Sequence, residues 1–242
     1  MPSSLGLSFQ PFETETVDGY RIHGWYVPAE GTETLTLLYC HGNAGNISNR
    51  LKMLHLLHQL GLNVAIFDYR GYGNSEGKPT EEGTYYDALA AWNYLQTQYN
   101  IAEENMIIMG RSLGGPIAAW LACRCNPAAV ILESTFTSAA ELGSDKYSWL
   151  PVEWLLKFEY DTREYLKQLK APVFMAHSTD DEVVPFSHGK RLFKVASEPK
   201  MFVELKGSHA EGFLETKIKY CDCLKEFLEM YTTHNEVSCG KR

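Results

Sequence analysis

Met106-Ile107-Ile108-Met109-Gly110-Arg111-Ser112-Leu113-Gly114-Gly115 reads as a strand, a sharp turn and the start of a helix. The run from Met106 to Met109 is short and apolar, as expected of a strand buried on both faces. Beyond the glycines the apolar spacing turns helical, with Ile117 and Leu121 four positions apart. A reversal this tight strains the dihedrals of Ser112, and a side chain at 110 or 114 would collide with neighbouring backbone, so glycine is needed at both. The turn holds the Ser112 hydroxyl at the sheet's edge. A helix beginning at Ser112 would point its N-terminal amides at any anion formed there.

The flanking sequence repeats the same rhythm. Leu35 to Cys40, Asn63 to Asp68, Ala129 to Leu132, Pro172 to Ala176 and Met201 to Leu205 are further short apolar runs. Between most of them lie helical spacings: Ile47, Leu51, Leu54 and Leu57; Ala88, Ala91, Trp92 and Leu95; Phe213, Ile218, Leu224 and Phe227. Strand and helix in alternation predict a parallel sheet covered on both faces. At the N-terminus, residues 9–17 and 20–28 alternate around Asp18-Gly19, which predicts an antiparallel hairpin. The expected architecture is one α/β domain over residues 1–242, with a mostly parallel eight-stranded sheet and helices on both faces. A longer segment at about 135–170, containing Trp149, Pro151 and Trp154, interrupts the rhythm and predicts a small cap insertion over a ligand site.

Composition narrows the classes of partner. The chain has 242 residues, 45% hydrophobic and 21% charged, with a formal net charge of −8. Such a surface repels polyphosphate, so nucleic acid is not an expected partner. Met1 to Phe9 carries neither a basic stretch nor an apolar run of spanning length, which predicts no integral membrane segment and a cytoplasmic location. The six cysteines include two C-x-C pairs, Cys123/Cys125 and Cys221/Cys223. In the helices expected there, residues two apart point to different sides, so neither pair makes a zinc knuckle and reduced thiols are expected.

A serine hydroxyl becomes a strong nucleophile only when a base takes its proton, and the base needs a carboxylate to fix its tautomer. Both follow Ser112 in the chain. The run His177-Ser178-Thr179-Asp180-Asp181-Glu182-Val183-Val184-Pro185 leaves one strand, and Gly207-Ser208-His209 leaves the next. His209 is the candidate base. Asp181 is the candidate acid ahead of its neighbour Asp180 and of Glu133 at an earlier strand end, because the apolar residues after Asp181 anchor its loop. An anion built on a carbonyl oxygen also needs two preset donors, worth about 3–4 kcal/mol each. Leu113 N–H is one candidate; Asn43 N–H in His41-Gly42-Asn43-Ala44-Gly45 is the other, with Ala44 in reserve. His41 is expected to shape that loop by hydrogen bonding, and His177, His188, His23, His55, His58 and His234 are expected to be surface or packing residues.

The runs Tyr39-Cys40-His41-Gly42-Asn43-Ala44-Gly45-Asn46, Phe67-Asp68-Tyr69-Arg70-Gly71-Tyr72-Gly73-Asn74-Ser75-Glu76-Gly77 and Gly110-Arg111-Ser112-Leu113-Gly114-Gly115, with the Asp181 and His209 loops, resemble the α/β-hydrolase superfamily. More narrowly, the His-Gly-Asn-Ala-Gly-Asn run and small cap resemble α/β-hydrolase-domain proteins whose eukaryotic members are membrane-anchored serine hydrolases, some of them protein depalmitoylases. The resemblance implies a Ser112-Asp181-His209 triad, an oxyanion hole, esterase or thioesterase activity on a small-molecule or acyl substrate, and neither metal nor organic cofactor. Membrane residence is not carried over, because this sequence has neither the N-terminal spanning helix nor the upstream cysteine cluster of those relatives. Tyr72, Trp149 and Trp154 are candidates for lining an acyl pocket, and Asp68 and Arg70 are expected to serve folding. The same residues also suit a peptidase or amidase, or a binding protein on a retained scaffold. Dehalogenase chemistry is disfavoured, since it calls for an aspartate at 112.

Overall fold

A computed structural model describes residues 1–31, 35–146 and 157–232. Strands β1 (Gln10–Glu15) and β2 (Arg21–Val27) pair antiparallel across the Asp18-Gly19 turn. Gly19 takes a φ of 83°, a left-handed conformation that suits glycine, and Thr16 N–H donates to Tyr20 O at 2.9 Å to close the turn. Strands β3 (Thr36–Cys40), β4 (Asn63–Phe67), β5 (Met106–Arg111), β6 (Ala129–Glu133), β7 (Val173–Ser178) and β8 (Lys200–Leu205) complete one sheet in the order β1-β2-β4-β3-β5-β6-β7-β8. β2 runs antiparallel to both its neighbours, and from β4 to β8 every pairing is parallel.

The longer helices among the described residues are α1 (Leu51–Gln59), α2 (Glu81–Tyr99), α3 (Gly114–Ala122), α4 (Ala139–Lys146), α5 (Thr162–Gln168), α6 (Phe186–Val195) and α7 (Lys217–Tyr231). Successive strand residues point to opposite faces, and each face is apolar. Leu38, Ile108, Val130 and Met175 pack with Trp92 and Leu95 of α2, Ile117 and Leu121 of α3, and Leu192 of α6. Leu37, Ile107, Met109 and Phe174 pack instead with Leu54 and Leu57 of α1 and with Leu224 and Phe227 of α7. Burying each such side chain contributes about 1.5–3 kcal/mol, so two apolar faces cover the sheet without a polar run in the central strands. None of the described helices is long and apolar enough to cross a membrane.

The elements exceed the sequence periodicity mainly at their ends. β5 runs on to Arg111, because the ladder with β6 continues through Gly110↔Leu132 and Arg111↔Glu133. α2 starts earlier than its apolar spacing: Thr80 caps it by accepting from Gly83 N–H at 3.0 Å. Helices α4 and α5 lie within the segment 135–170; both are short, which leaves little apolar periodicity to detect. α5 packs on α3 and α6. Cys123 caps the end of α3 and Cys125 lies beyond it, so this pair is not within a helix as expected, whereas Cys221 and Cys223 lie in α7.

Asp68 and Arg70 tie loops together. Asp68 Oδ1 accepts from Ile47 N–H at 2.9 Å, and the buried Arg70 guanidinium bridges Asp18 at 2.6 Å and Asp87 at 2.8 Å. The parallel pairing places the carboxyl ends of β3, β5, β6, β7 and β8 along one edge. β3 pairs with β4 on one side and β5 on the other, so the chain switches direction across the sheet between β3 and β5, where open α/β sheets leave a crevice.

Candidate active site

Ser112 follows β5 directly, with a φ of 52° that a serine adopts only under strain. Its N–H donates to Glu133 O at 3.0 Å, and its carbonyl accepts from Gly115 N–H at 2.9 Å and from Thr135 Oγ1 at 2.7 Å. That left-handed backbone keeps Ser112 out of the helix, so α3 begins at Gly114 and not at Ser112 as expected from sequence. The glycines are required by close approach. A Cβ on Gly110 would lie 2.3 Å from Gly114 O, and one on Gly114 would lie 1.9 Å from Cys40 O. Gly115, which the motif alone does not single out, would bring a Cβ to 1.9 Å from Thr135 Oγ1.

The contacts at Gly110 and Gly114 are with backbone that cannot swing aside, so Gly114→Ala is expected to lower unfolding stability by on the order of 3 kcal/mol. Urea denaturation checks this, and a change under about 0.5 kcal/mol would contradict the tight-turn account.

The loops after β7 and β8 meet over Ser112. His209 Nε2 stands 3.1 Å from Ser112 Oγ, and His209 Nδ1 stands 2.7 Å from Asp181 Oδ2. Asp181 is wholly buried at its side chain. Its Oδ1 accepts from Val183 N–H at 2.9 Å and Val184 N–H at 2.7 Å, so the apolar residues after it do anchor the loop, through their backbone. Burial pushes the Asp181 carboxyl up, but hydrogen bonds from His177 and His209 and from the Val184 amide outweigh it and hold the group well below the usual carboxylate range. Asp180 faces outward instead, accepting from Gly207 N–H at 3.1 Å and lying 3.8 Å from Lys206 Nζ. Glu133 is buried beneath the elbow with its Oε1 at 2.9 Å from Arg111 Nε. Of the three contending acids, the structure brings Asp181 alone to His209.

Two residues that hold the His209 loop carried no sequence signal. Glu182 accepts the His209 backbone N–H at 2.9 Å, and Arg111 reaches the His209 loop from below. Neither role has a local pattern, because each partner lies in a distant part of the chain.

The loop after β3 approaches from the other side. A Cβ on Gly42 would sit 3.3 Å from Ser112 Cβ. Among the described residues, no backbone hydrogen bond within the protein engages the Asn43 or the Leu113 amide. The Asn43 side chain accepts from the Tyr72 hydroxyl, which ties Tyr72 to this loop. Trp149 and Trp154 lie outside the described residues. Two shallow hollows run along the N-terminal hairpin, one of them lined by Glu13, Glu15, Arg21 and Glu76, and neither includes a residue of the Ser112 cluster.

Of the other described histidines, His41, His177 and His188 are buried, and His23, His55 and His58 are half-buried. His41 Nδ1 lies 2.7 Å from Gly42 O, shaping its loop as expected. His177 is buried with Nε2 at 2.9 Å from Val184 O and 3.4 Å from Asp181 Oδ2. His188 packs against Thr137, its Nδ1 2.8 Å from Oγ1, with Nε2 3.1 Å from Asp145. Burial pushes both His41 and His188 down to about 4. An unfolded imidazole titrates near 6.5, so as pH falls the unfolded chain binds protons before the native one does. The stability these two groups retain in neutral form is complete above about pH 6.5 and is lost as pH falls toward 4. Unfolding free energy is therefore expected to drop by about 2–4 kcal/mol between pH 7 and 5, with His188→Gln removing part of that slope. Urea titrations at several pH values measure it, and a flat profile would contradict the burial argument.

Comparison with known proteins agrees with this architecture. A family model described as alpha/beta hydrolase fold matches residues 36–152. The chain is 40% identical over 216 residues to an uncharacterized protein of Mycobacterium tuberculosis strain H37Rv, covering 88% of this chain and 77% of that one. It is 34% identical to alpha/beta hydrolase domain-containing protein 17B of Homo sapiens, over 90% of this chain and 74% of that protein. Among solved structures, the Pyrococcus furiosus esterase Pf2001 has a similar fold, with a TM-score of 0.79, 19% identity and coverage of 96% of this chain and 94% of that one.

Proposed function

Because the chain belongs to the α/β-hydrolase family, we propose that it is a serine hydrolase that cleaves a carboxylic ester or thioester through an acyl-enzyme on Ser112. The observation that carries the reading is the unbroken run of contacts from Ser112 Oγ to His209 Nε2 at 3.1 Å and from His209 Nδ1 to Asp181 at 2.7 Å. An ionised Asp181 accepts a hydrogen bond from Nδ1–H and so leaves Nε2 free to take the proton of Ser112. As Ser112 Oγ attacks the carbonyl carbon, the oxygen's growing charge is met by the Leu113 and Asn43 amides. The His209 imidazolium then protonates the leaving alcohol or thiol. Water, deprotonated by His209, releases the acid and restores Ser112.

Several finer assignments support this reading. In this reading residues 1–242 are one α/β-hydrolase domain, with about 135–170 as a small cap and Tyr72, bonded to the Asn43 side chain, at the acyl side of the site. The described cysteines Cys40, Cys123, Cys125, Cys221 and Cys223 are free thiols, which favours a reducing compartment such as the cytoplasm.

A substrate panel tests the proposal: para-nitrophenyl esters of increasing chain length, matched acyl-thioesters and aminopeptide amides. Esters or thioesters are expected to be cleaved at least about 100-fold more efficiently than matched amides, because the alcohol or thiol leaves more readily. Amides cleaved faster than esters would move the protein to the peptidases. Neither turnover nor fluorophosphonate labelling, with thermal protection by a ligand, would make it a binding protein.

A further inference from the structure

We propose that Arg111, the residue between Gly110 and Ser112, is a positioning residue that holds the His209 loop and thereby keeps the imidazole over the Ser112 hydroxyl. The inference rests on the reading of Ser112 and His209 as nucleophile and base. It begins from a gap in the sheet. β5, which carries Ser112, and β8, which leads to His209, are separated by β6 and β7, so no ladder hydrogen bond sets one against the other. Three strand spacings amount to about 14 Å. Something other than the sheet must set the relay's first contact.

Arg111 links the end of β5 to the loop that returns from β8. It is the last residue of β5 and is buried, 8% exposed, beneath the elbow. Its Nε lies 2.9 Å from Oε1 of Glu133, its register partner at the end of β6. The same guanidinium reaches the loop after β8, where its Nη2 donates to the backbone carbonyls of His209 and Ala210, the latter at 2.9 Å. The Phe213 ring lies 5.2 Å from the guanidinium carbon and closes the site. The loop is thus held at both peptide groups of residue 209: Glu182 takes its N–H at 2.9 Å and Arg111 takes its C=O.

The chemistry of arginine suits this task. A planar, permanently charged fork can present one edge to a carboxylate and another to carbonyls, whereas a lysine ammonium has one point of charge. A buried ion pair such as Arg111–Glu133 is weak evidence for stability, because desolvation offsets the attraction. Its contribution here is geometric: it fixes the arginine so that the far end of the fork is aimed at one loop. Glu133 is thereby accounted for as the anchor of the clamp.

The test compares the wild type with Arg111→Met/Glu133→Gln, which removes both buried charges together, and with Arg111→Lys, which keeps the charge but not the fork. Folding is monitored by circular dichroism and thermal unfolding. If the double variant fails to fold, Arg111→Lys carries the test. With para-nitrophenyl acetate, kcat is expected to fall by about 10–100-fold while KM stays within about twofold, since a displaced base slows the chemical steps and leaves ground-state binding alone. In a His209→Ala background the same substitutions should cost nothing further; an equal additional loss there would mean Arg111 supports the elbow and not the histidine. A second readout needs no turnover. The His209 Nδ1 ring proton, identified in NMR spectra by its disappearance in His209→Ala, should be sharp in the wild type and lost or shifted in the clamp variants. Folded variants with wild-type kcat and an unchanged ring proton overturn the proposal. A wild type that neither labels nor cleaves the ester refutes the hydrolase reading alone, and the ring proton then still decides the clamp.

Discussion

Ser112→Ala is expected to abolish covalent labelling by a fluorophosphonate and to cut ester turnover by about 10⁴–10⁶-fold while leaving the fold intact. The substitution removes one oxygen, whose contact is with His209 Nε2 at 3.1 Å. The backbone bonds that build the elbow are untouched: Ser112 N–H to Glu133 O at 3.0 Å, and Ser112 O from Gly115 N–H at 2.9 Å and Thr135 Oγ1 at 2.7 Å. The cost therefore falls on chemistry and not on stability, and the melting temperature should move by no more than a few degrees. Residual catalysis above the uncatalysed rate would come from binding and from the amides of Leu113 and Asn43. Retention of near-wild-type turnover in the purified variant, free of contaminating hydrolase, would remove Ser112 from the mechanism.

Asp181→Asn is expected to lower kcat by about 10⁴-fold, and Asp180→Asn by no more than a few-fold. The difference lies in where two adjacent carboxylates point. Asp181 Oδ1 accepts the Val183 and Val184 amides at 2.9 and 2.7 Å, which commits its other oxygen to His209. An asparagine oxygen would keep the two amides, leaving its NH₂ to face His209 Nδ1. The imidazole would then move its proton to Nε2, the atom that must accept from Ser112. Asp180 is exposed and bonded to Gly207 N–H at 3.1 Å, away from the ring. The same substitution carries a stability signature. Since the Asp181 carboxyl is held below its unfolded value near 3.9, its stabilisation is complete above that pH and is lost as pH falls further through the native value. Asp181→Asn should thus weaken the fold at neutral pH and show less acid sensitivity below about pH 4. Equal kinetic effects at 180 and 181 would overturn the assignment of the acid.

Much of this was legible locally. The apolar runs located six of the eight strands to within a few residues, because a strand buried on both faces must be apolar at nearly every position, and alternation around Asp18-Gly19 located the other two. The glycines around Ser112 announced the elbow for a steric reason that needs no distant partner. The helices α4 and α5 were harder to read, being short and offering little periodicity. His177 and His188, expected as surface or packing residues, are buried packing residues whose polar partners, Asp181 and Thr137, the sequence did not indicate. The starting point of α3 was misplaced by two residues because the left-handed φ of Ser112 is a tertiary strain, imposed by the strand pairing that carries Ser112 N–H to Glu133 O.

From sequence alone came the order of strands and helices, the sharp turn at Ser112 and the candidates for its partners, all of which depend on residues a few positions apart. Which carboxylate faces the imidazole, and what bridges two strands that never pair, depended on how loops from β3, β5, β7 and β8 converge at one edge. Asp180 and Asp181 have the same chemistry and differ in orientation, which two backbone amides decide. Arg111 reads as an unremarkable letter within a motif until packing brings Glu133 and the carbonyls of residues 209 and 210 within its reach. Spacing along a chain encodes direction within one element, whereas contacts between elements are set by the sheet that orders them.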